Sequence, residues 1–332
     1  MKKNIVFNRI NESHLESMSN LLLNRQKAII DSFDFLKNDS NNFDRIRESL
    51  DEKLKKGIEG IVALRNKRVV GFIFGVIRND YFYNRSIWVP YDGMAISTDE
   101  DTLLLNLLYK EASRLWVKNG YFSHYVMVPL GDERYFKGFL NLSFAIQQVH
   151  CVLRISEYEG FDVDNSLAIR DLNKNDKNEL RKMADIIMNY QNRSPIYVPA
   201  IPEMLRDIRN GYGEIIDDSD LSAFRVGEVS SDILSFQAFW DVKGTLMNPE
   251  NAVELKIAGT YQRHMGQGYG KKLMNDSIDL LKGKNYEFIV ADYRVSNLAS
   301  SEFWRKCGFK PIAYRMVREI DNRISWAEFF EE

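Results

Sequence analysis

The sequence has only two cysteines, Cys151 and Cys307, and four histidines in 332 residues. That excludes a disulfide framework and a thiolate metal cluster, and it points to a reducing, cytoplasmic setting. Charge of one sign is missing as well: 45 Lys plus Arg stand against 47 Asp plus Glu, a formal net charge of -2. Nothing global draws such a chain to nucleic acid or to an anionic membrane, so any anion site has to be local. No apolar run approaches the ~20 residues of a membrane span, and the opening MKKNIVFNRINES lacks the apolar stretch of a secretion signal. The expectation is a soluble protein that engages neither nucleic acid nor membrane. What is plentiful is core material, 45% hydrophobic and 12% aromatic, which excludes disorder for the bulk. A single core rarely serves so long a chain, so two domains are expected.

The same order of elements recurs at an offset near 165 residues. A strand and polar turn lead into a helix at Ile5–Leu23 and again at Leu167–Met188. Hairpins follow at Gly60–Ile77, turning at Asn66-Lys67, and at Ala223–Val242, turning at Ser230-Ser231-Asp232. Helical periods then span Asp101–Asn119 and Lys271–Lys282, and strands follow at His124–Val128 and Phe288–Tyr293. Short aromatic helices at Phe139–Phe144 and Ser300–Phe309 precede last strands at Gln147–Ile155 and Pro311–Ile320. Between the halves Glu157–Asn165 is acidic, turn-rich and without period, as a linker would be. We therefore expect an α/β (α+β) protein of two tandem domains, residues 1–157 and 166–332, each a mixed, mostly antiparallel sheet flanked by helices.

The sharpest local signal is the strand Val253–Thr260 followed by Gly266, Gly268 and Gly270, which open the helix that continues through Lys271, Lys272, Leu273 and Met274. Alternating glycines let backbone N–H groups converge without Cβ interference, and a helix start adds unpaired donors and a positive dipole end. Lysines in a first turn oppose that dipole unless an anion compensates them. The pattern reads as a phosphate cradle; the plain alternative is a flexible strand-to-helix turn. A dinucleotide fingerprint needs glycine at the position of Lys271 and fails there.

These residues resemble the GNAT superfamily of acyl-CoA N-acyltransferases. Met265, Gly266, Gln267, Gly268, Tyr269 and Gly270, then Leu273-Met274, are similar to its pyrophosphate loop, with Met265 where arginine or glutamine is usual. Asn297 through Phe303, Trp304, Lys306, Gly308 and Phe309 resembles a second family motif, with Trp304 in place of tyrosine. Asn141-Leu142-Ser143-Phe144 and Asp292-Tyr293-Arg294 are similar to tandem two-domain members. The resemblance implies acetyl-CoA as co-substrate, no metal, a splay between the fourth and fifth strands, and transfer of an acetyl group to the amine of a small molecule or peptide. It implies cofactor contacts from Ile257, Ala258, Gly259, Met265, Gly266, Gln267, Gly268, Tyr269, Gly270, Lys271, Lys272, Asn297 and Trp304.

Acyl transfer to an amine needs a neutral nucleophile, polarisation of the thioester carbonyl and an exit for the thiolate. Glu254, on the strand before the glycine loop, resembles in position a catalytic glutamate of the protein-lysine acetylating branch; its alternative is a strand-edge carboxylate in solvent. Trp304 carries a donor-only indole and cannot be an acid. Tyr293 is the substitute candidate, its alternative a core tyrosine. Tyr197 and Ile201 in the proline-rich Asn192–Pro202, the carboxylates Asp292 and Asp241, and Gln148 with His150 are candidates for the acceptor side. The 165-residue offset carries Gly266, Gly268 and Gly270 onto Asp101, Leu103 and Leu105, so the first domain has no cradle and is expected to be a structural partner. Either a monomer or a homodimer is compatible with this. A protein that binds acyl-CoA as a sensor or scaffold without turnover is the second reading.

Overall fold

The computed structural model describes residues 5–80 and 82–326, with Ser40 described by its backbone alone; the outer limits of the two expected domains, Met1 and Glu332, lie outside the described residues. The chain divides into two units. Unit 1 comprises residues 1–149, 244–249 and 312–332, and unit 2 comprises 150–243 and 250–311.

Unit 1 contains β1 (Ile5–Arg9), α1 (Leu15–Ile30), α2 (Phe43–Lys55), β2 (Glu59–Arg65), β3 (Arg68–Asp80), β4 (Asn84–Val89), β5 (Met94–Ile96), α3 (Thr102–Lys118), β6 (Ser123–Pro129), α4 (Glu133–Asn141) and the start of β7 (Ala145–Arg154). Asn66 and Lys67 both adopt positive φ, the two-residue turn whose twist suits a hairpin. β4 and β6 run parallel, while β1 to β4 are joined antiparallel. One face of this sheet packs Ile73, Ile87 and Val126 against Leu105, Leu108, Trp116 and Phe139 of α3 and α4. The other packs Phe72 and Phe74 against Met18, Leu22, Ile46 and Leu50 of α1 and α2. The expected helix Phe139–Phe144 starts earlier and stops at Asn141, because Asp132 caps its N-terminus and Ser143 at positive φ ends it.

Unit 2 contains the remainder of β7, β8 (Ala168–Asp171), α5 (Lys177–Gln191), α6 (Pro202–Glu214), β9 (Leu221–Val229), β10 (Asp232–Val242), β11 (Ala252–Thr260), α7 (Tyr269–Gly283), β12 (Phe288–Arg294), α8 (Leu298–Lys306) and the first residues of β13 (Lys310–Glu319). Its strands follow the order of unit 1: β8, β9, β10 and β11 are antiparallel neighbours and β11 is parallel to β12. Ser230 and Ser231 make the hairpin turn and Asp232 already belongs to β10. Leu180 and Met183 of α5 pack with Phe236, Ala238 and Trp240 on one face. Leu273, Met274, Ile278 and Leu281 form the buried stripe of α7.

The sixth strand of each unit does not come from the nearer half of the chain. Ala313–Glu319 of β13 pairs antiparallel with β6 in unit 1, and the end of β7 lies beside β12 in unit 2, where the Ile155 amide donates to the Glu287 carbonyl at 2.9 Å.

Candidate functional site

The site begins where α7 begins. Gly268 is its N-cap at φ 78°, and Gly266 has φ 85°, a region that costs an L side chain about 1–2 kcal/mol. A Cβ on Gly266 would meet nothing within 4 Å, so that glycine serves backbone conformation. The amides of Lys271 and Lys272 turn back to the Gly268 carbonyl at 3.1 and 3.0 Å. Among the described residues, those of Gly266, Gln267, Gly268, Tyr269 and Gly270 make no backbone hydrogen bond. A row of free donors at the start of a 15-residue helix with no acidic residue in its first turn is suited to an anion. Met265 is exposed and Tyr269 buried.

Strands β11 and β12 supply the second part. Their parallel ladder ends at Leu255↔Ala291, although β11 runs on to Thr260 and β12 to Arg294. Beyond that point they separate, and the β11 amides that face β12 have no ladder partner there. At the same level β11 carries a β-bulge against β10: Phe239 pairs with Leu255 and Ala238 with Ile257, leaving Lys256 extra. Ile257 and Gly259 lie toward α5, and a Cβ on Gly259 would stand 3.0 Å from the Phe236 ring and 3.2 Å from Ile186. Ala258 is half-buried between them.

Glu254 sits just before the bulge, paired with Trp240. It is an interior-strand carboxylate, its side chain 34% exposed, with Lys256 Nζ 3.6 Å away. Burial pushes its pKa up; the charge of Asp292 pushes it further, and Lys256 opposes both. The Lys256 ammonium also stands 5.1 Å from the Trp240 ring, whose Nε1 donates to Asp218 at 2.8 Å. Asp292 is exposed. The register places Glu254 level with Val290, so alternation along β12 puts Asp292 on the Glu254 face and Tyr293 on the opposite one.

Tyr293, at 7% exposure, and Trp304, at 8%, are both buried. Trp304 lies edge-on to Phe303 at 4.7 Å and to Phe309 at 5.5 Å, so its ring is part of the packing beneath α8. Asn297 caps α8, its Oδ1 accepting from the Ser300 amide at 3.1 Å, which starts that helix two residues before the expected Ser300. Both cysteines are buried. Burial raises the Cys307 thiol to about 12 and raises Cys151, whose Sγ lies 3.3 Å from the Ala291 carbonyl. Folded protein should therefore show no thiol reacting promptly with a disulfide reagent at neutral pH, and two after denaturation. Rapid labelling of either cysteine in the native state would contradict this burial.

Other sequence candidates are dispersed. Asp241 accepts from Ser222 at 2.9 Å and from the Tyr286 hydroxyl, so its charge is engaged away from Glu254. Tyr197 is 71% exposed and Ile201 37%. Gln148 belongs to unit 1 and His150 to unit 2. Two residues outside the sequence motifs, Arg193 and Arg263, also stand here. Arg193 donates to Gln262, and Arg263 contacts His264 at 2.9 Å, placing two guanidinium groups at the entry to the glycine loop. A shallow open hollow lies there, lined by Tyr261, Gln262 and Arg263. Arg263, three residues before Gly266, was the one available signal; Arg193 is too far away in sequence to have given any.

The corresponding helix start in unit 1 is closed. Asp101 caps α3 by accepting from the Leu103 amide at 3.0 Å, and Glu100 is held by Arg65 at 2.7 Å. Asp99 accepts from Ser97, a bond that holds its carboxyl below the usual range. Three carboxylates stand where unit 2 presents free amides. Among the described residues no cluster of His, Cys, Asp and Glu could hold a metal ion, and no helix is long and apolar enough to cross a membrane.

A family model described as the Acetyltransferase (GNAT) family matches residues 225–309, the span from β9 to the end of the α8 motif. No curated protein matches the sequence. Among solved structures, a GCN5-related N-acetyltransferase from Sphaerobacter thermophilus aligns over 95% of both chains with TM-score 0.60 and 8% identity. A tandem GNAT protein from the clavulanic acid biosynthesis pathway aligns over 95% of this chain and 98% of its own, with TM-score 0.52 and 11% identity. A GCN5-related glucosamine N-acetyltransferase region of a fungal multi-domain β-N-acetylglucosaminidase aligns over 96% of this chain, TM-score 0.55 and 14% identity. This chain spans 38% of that longer protein. At such identities the likeness is one of fold.

Proposed function

We propose, from the premise that this chain belongs to the GNAT superfamily of acyltransferases, that unit 2 is an acetyl-CoA-dependent N-acetyltransferase acting on the amine of a small molecule or peptide. The observation that carries this reading is the conjunction of free amides at Gly266–Gly270 with the end of the β11–β12 ladder at Leu255. The residues fit the co-substrate: an amide row suits a diphosphate, and separated strands leave backbone donors beside which an extended arm can lie. Bound acetyl-CoA supplies the activated acyl group.

The chain's own residues do the rest. Gly266, Gln267, Gly268, Tyr269 and Gly270 bind phosphate oxygens through their amides, with Lys271 and Lys272 adding charge and Met265 standing beside the loop. Amides around Ile257, Ala258 and Gly259 polarise the acyl carbonyl. Glu254, its basicity raised by burial, takes a proton from the incoming ammonium, and Asp292 on the same face favours a cationic acceptor. Asn297 and Trp304 shape the wall near the thiol. Tyr293 is the one phenol we assign to the thiolate, though a thiol with pKa near ~8.5 leaves tolerably without an acid.

The test is release of free CoA thiol from acetyl-CoA over a panel of small amines, polyamines, aminoglycosides and peptides. Turnover with one acceptor supports the enzyme. Trp304 in place of an acid is what favours a binding-only protein, and tight acetyl-CoA binding without turnover across the panel would move the reading to it. Because Asp99, Glu100 and Asp101 crowd the helix start of unit 1, calorimetric titration of the whole chain should saturate at one equivalent. A stoichiometry near two would overturn the assignment of the site to unit 2 alone.

A further inference from the structure

We propose that Tyr158–Asn165, a segment with the composition of a linker, is a working part of the phosphate site, with Phe161 and Asn165 as positioning residues for Lys271 and Lys272. The proposal rests on the glycine loop being a CoA phosphate site. The segment has no regular secondary structure, yet it is fastened along α7 within unit 2. Asn275, one turn beyond Lys271, accepts from the Tyr158 hydroxyl at 2.7 Å and the Phe161 amide at 3.0 Å, and donates to the Phe161 carbonyl at 2.9 Å. The Phe161 ring stacks on Phe303 of α8 at 6.3 Å. Val163 lies against Gly268, where a Cβ would approach its Cγ1 to 2.9 Å. Asn165 donates to the Gln267 carbonyl at 3.2 Å.

The segment alternates. Phe161, Val163 and Asn165 are half-buried against α7, while Asp162 and Asp164 are exposed. It thus turns a neutral face to the helix start in spite of its acidic composition. Its contacts with the two lysines are neutral too: Lys271 Nζ stands 5.2 Å over the Phe161 ring, and Lys272 Nζ donates to the Asn165 carbonyl at 2.8 Å. Among the described residues neither ammonium has a carboxylate partner. A ring and a carbonyl fix where a lysine points and leave its positive charge uncompensated. A long side chain ordered during folding loses less freedom when a ligand arrives, which is preorganisation. The dipole end of α7 would repel two unheld lysines, so a holder is needed to keep them over the loop.

A double-mutant cycle in the full chain tests this, read as acetyl-CoA affinity by calorimetry. Phe161→Leu should weaken binding about three- to tenfold, and Phe161→Trp, which keeps an aromatic face, should restore it. In a Lys271→Met background Phe161→Leu should cost nothing further, an outcome that a merely structural role for Phe161 does not produce. Phe161→Leu binding as tightly as the parent overturns the proposal. So does a loss that persists undiminished without Lys271, or a loss that Phe161→Trp fails to restore. A parent protein that binds no acetyl-CoA overturns it together with the function it rests on, so the two failures are distinguishable.

Discussion

Gly268→Glu is expected to weaken acetyl-CoA binding by on the order of a hundredfold or more while leaving unit 2 folded. Two effects combine at this position. Gly268 holds φ 78° as the N-cap of α7, and any Cβ there would press on Val163 Cγ1 at 2.9 Å and Asn165 Nδ2 at 3.3 Å. The larger effect is electrostatic: a carboxylate at the mouth of the amide row claims the same donors as a diphosphate and meets it with like charge. A negative group at a helix N-terminus is itself favourable to the helix, so folding should survive. Gly268→Ala separates the two effects, because it carries the backbone strain and the Val163 contact without the charge. It should bind more weakly than the parent and far more tightly than the glutamate variant. Calorimetry with circular dichroism as the fold control decides, and a folded Gly268→Glu protein with unchanged affinity would remove the phosphate assignment.

Much of the backbone geometry of the candidate site was legible because it is local in sequence. Gly266, Gly268 and Gly270 alternate within one short stretch, their backbone need is intrinsic to glycine, and the strand before and helix after them carry their own periods. The hairpin turns at Asn66-Lys67 and Ser230-Ser231 were legible for the same reason: two apolar alternations meet there and few residues remain for the turn. The bulge at Lys256 was not legible, since Leu255, Lys256 and Ile257 alternate as an ordinary strand would and only the pairing with β10 reveals the extra residue. Consequently the side of the sheet that Glu254 shares with Asp292 and Trp240, and its opposition to Tyr293, had to come from register.

The strand exchange is hidden for a related reason. The alternation in Gln147–Ile155 and Pro311–Ile320 says that each is a strand and says nothing about its neighbour, because either hydrogen-bonding edge accepts any backbone. The linker segment shows the limit of composition. Glu157–Asn165 is acidic and aperiodic, and its inward and outward residues alternate over too few positions to read as structure; what orders it is Asn275, more than a hundred residues later.

The second large effect is expected at Glu254. Glu254→Gln should lower kcat by on the order of a hundredfold at neutral pH, with acetyl-CoA affinity close to the parent's, since Glu254 stands before the bulge and away from the glycine loop. The pH dependence follows from the direction of its shift. Burial, reinforced by Asp292 and opposed by Lys256, holds this carboxyl above the ordinary glutamate range. The acid limb of kcat/KM in the parent should therefore lie above that of a solvated carboxylate, and it should vanish in the glutamine variant. In the variant the rate should instead climb with pH as free amine becomes available. Stability moves the other way. A raised pKa means that the folded state binds this proton more tightly than the unfolded state, so ionised Glu254 costs stability above its folded pKa and the cost disappears below its unfolded one. Glutamine removes that cost, so the variant should melt no lower than the parent at neutral pH, and any gap between them should close as pH falls through the raised pKa. A residue that lowers activity on removal while sparing stability is one kept for chemistry rather than for the fold. A glutamine variant with the parent's full pH–rate profile, measured with any acceptor the amine panel yields, would refute the role of Glu254 as the base.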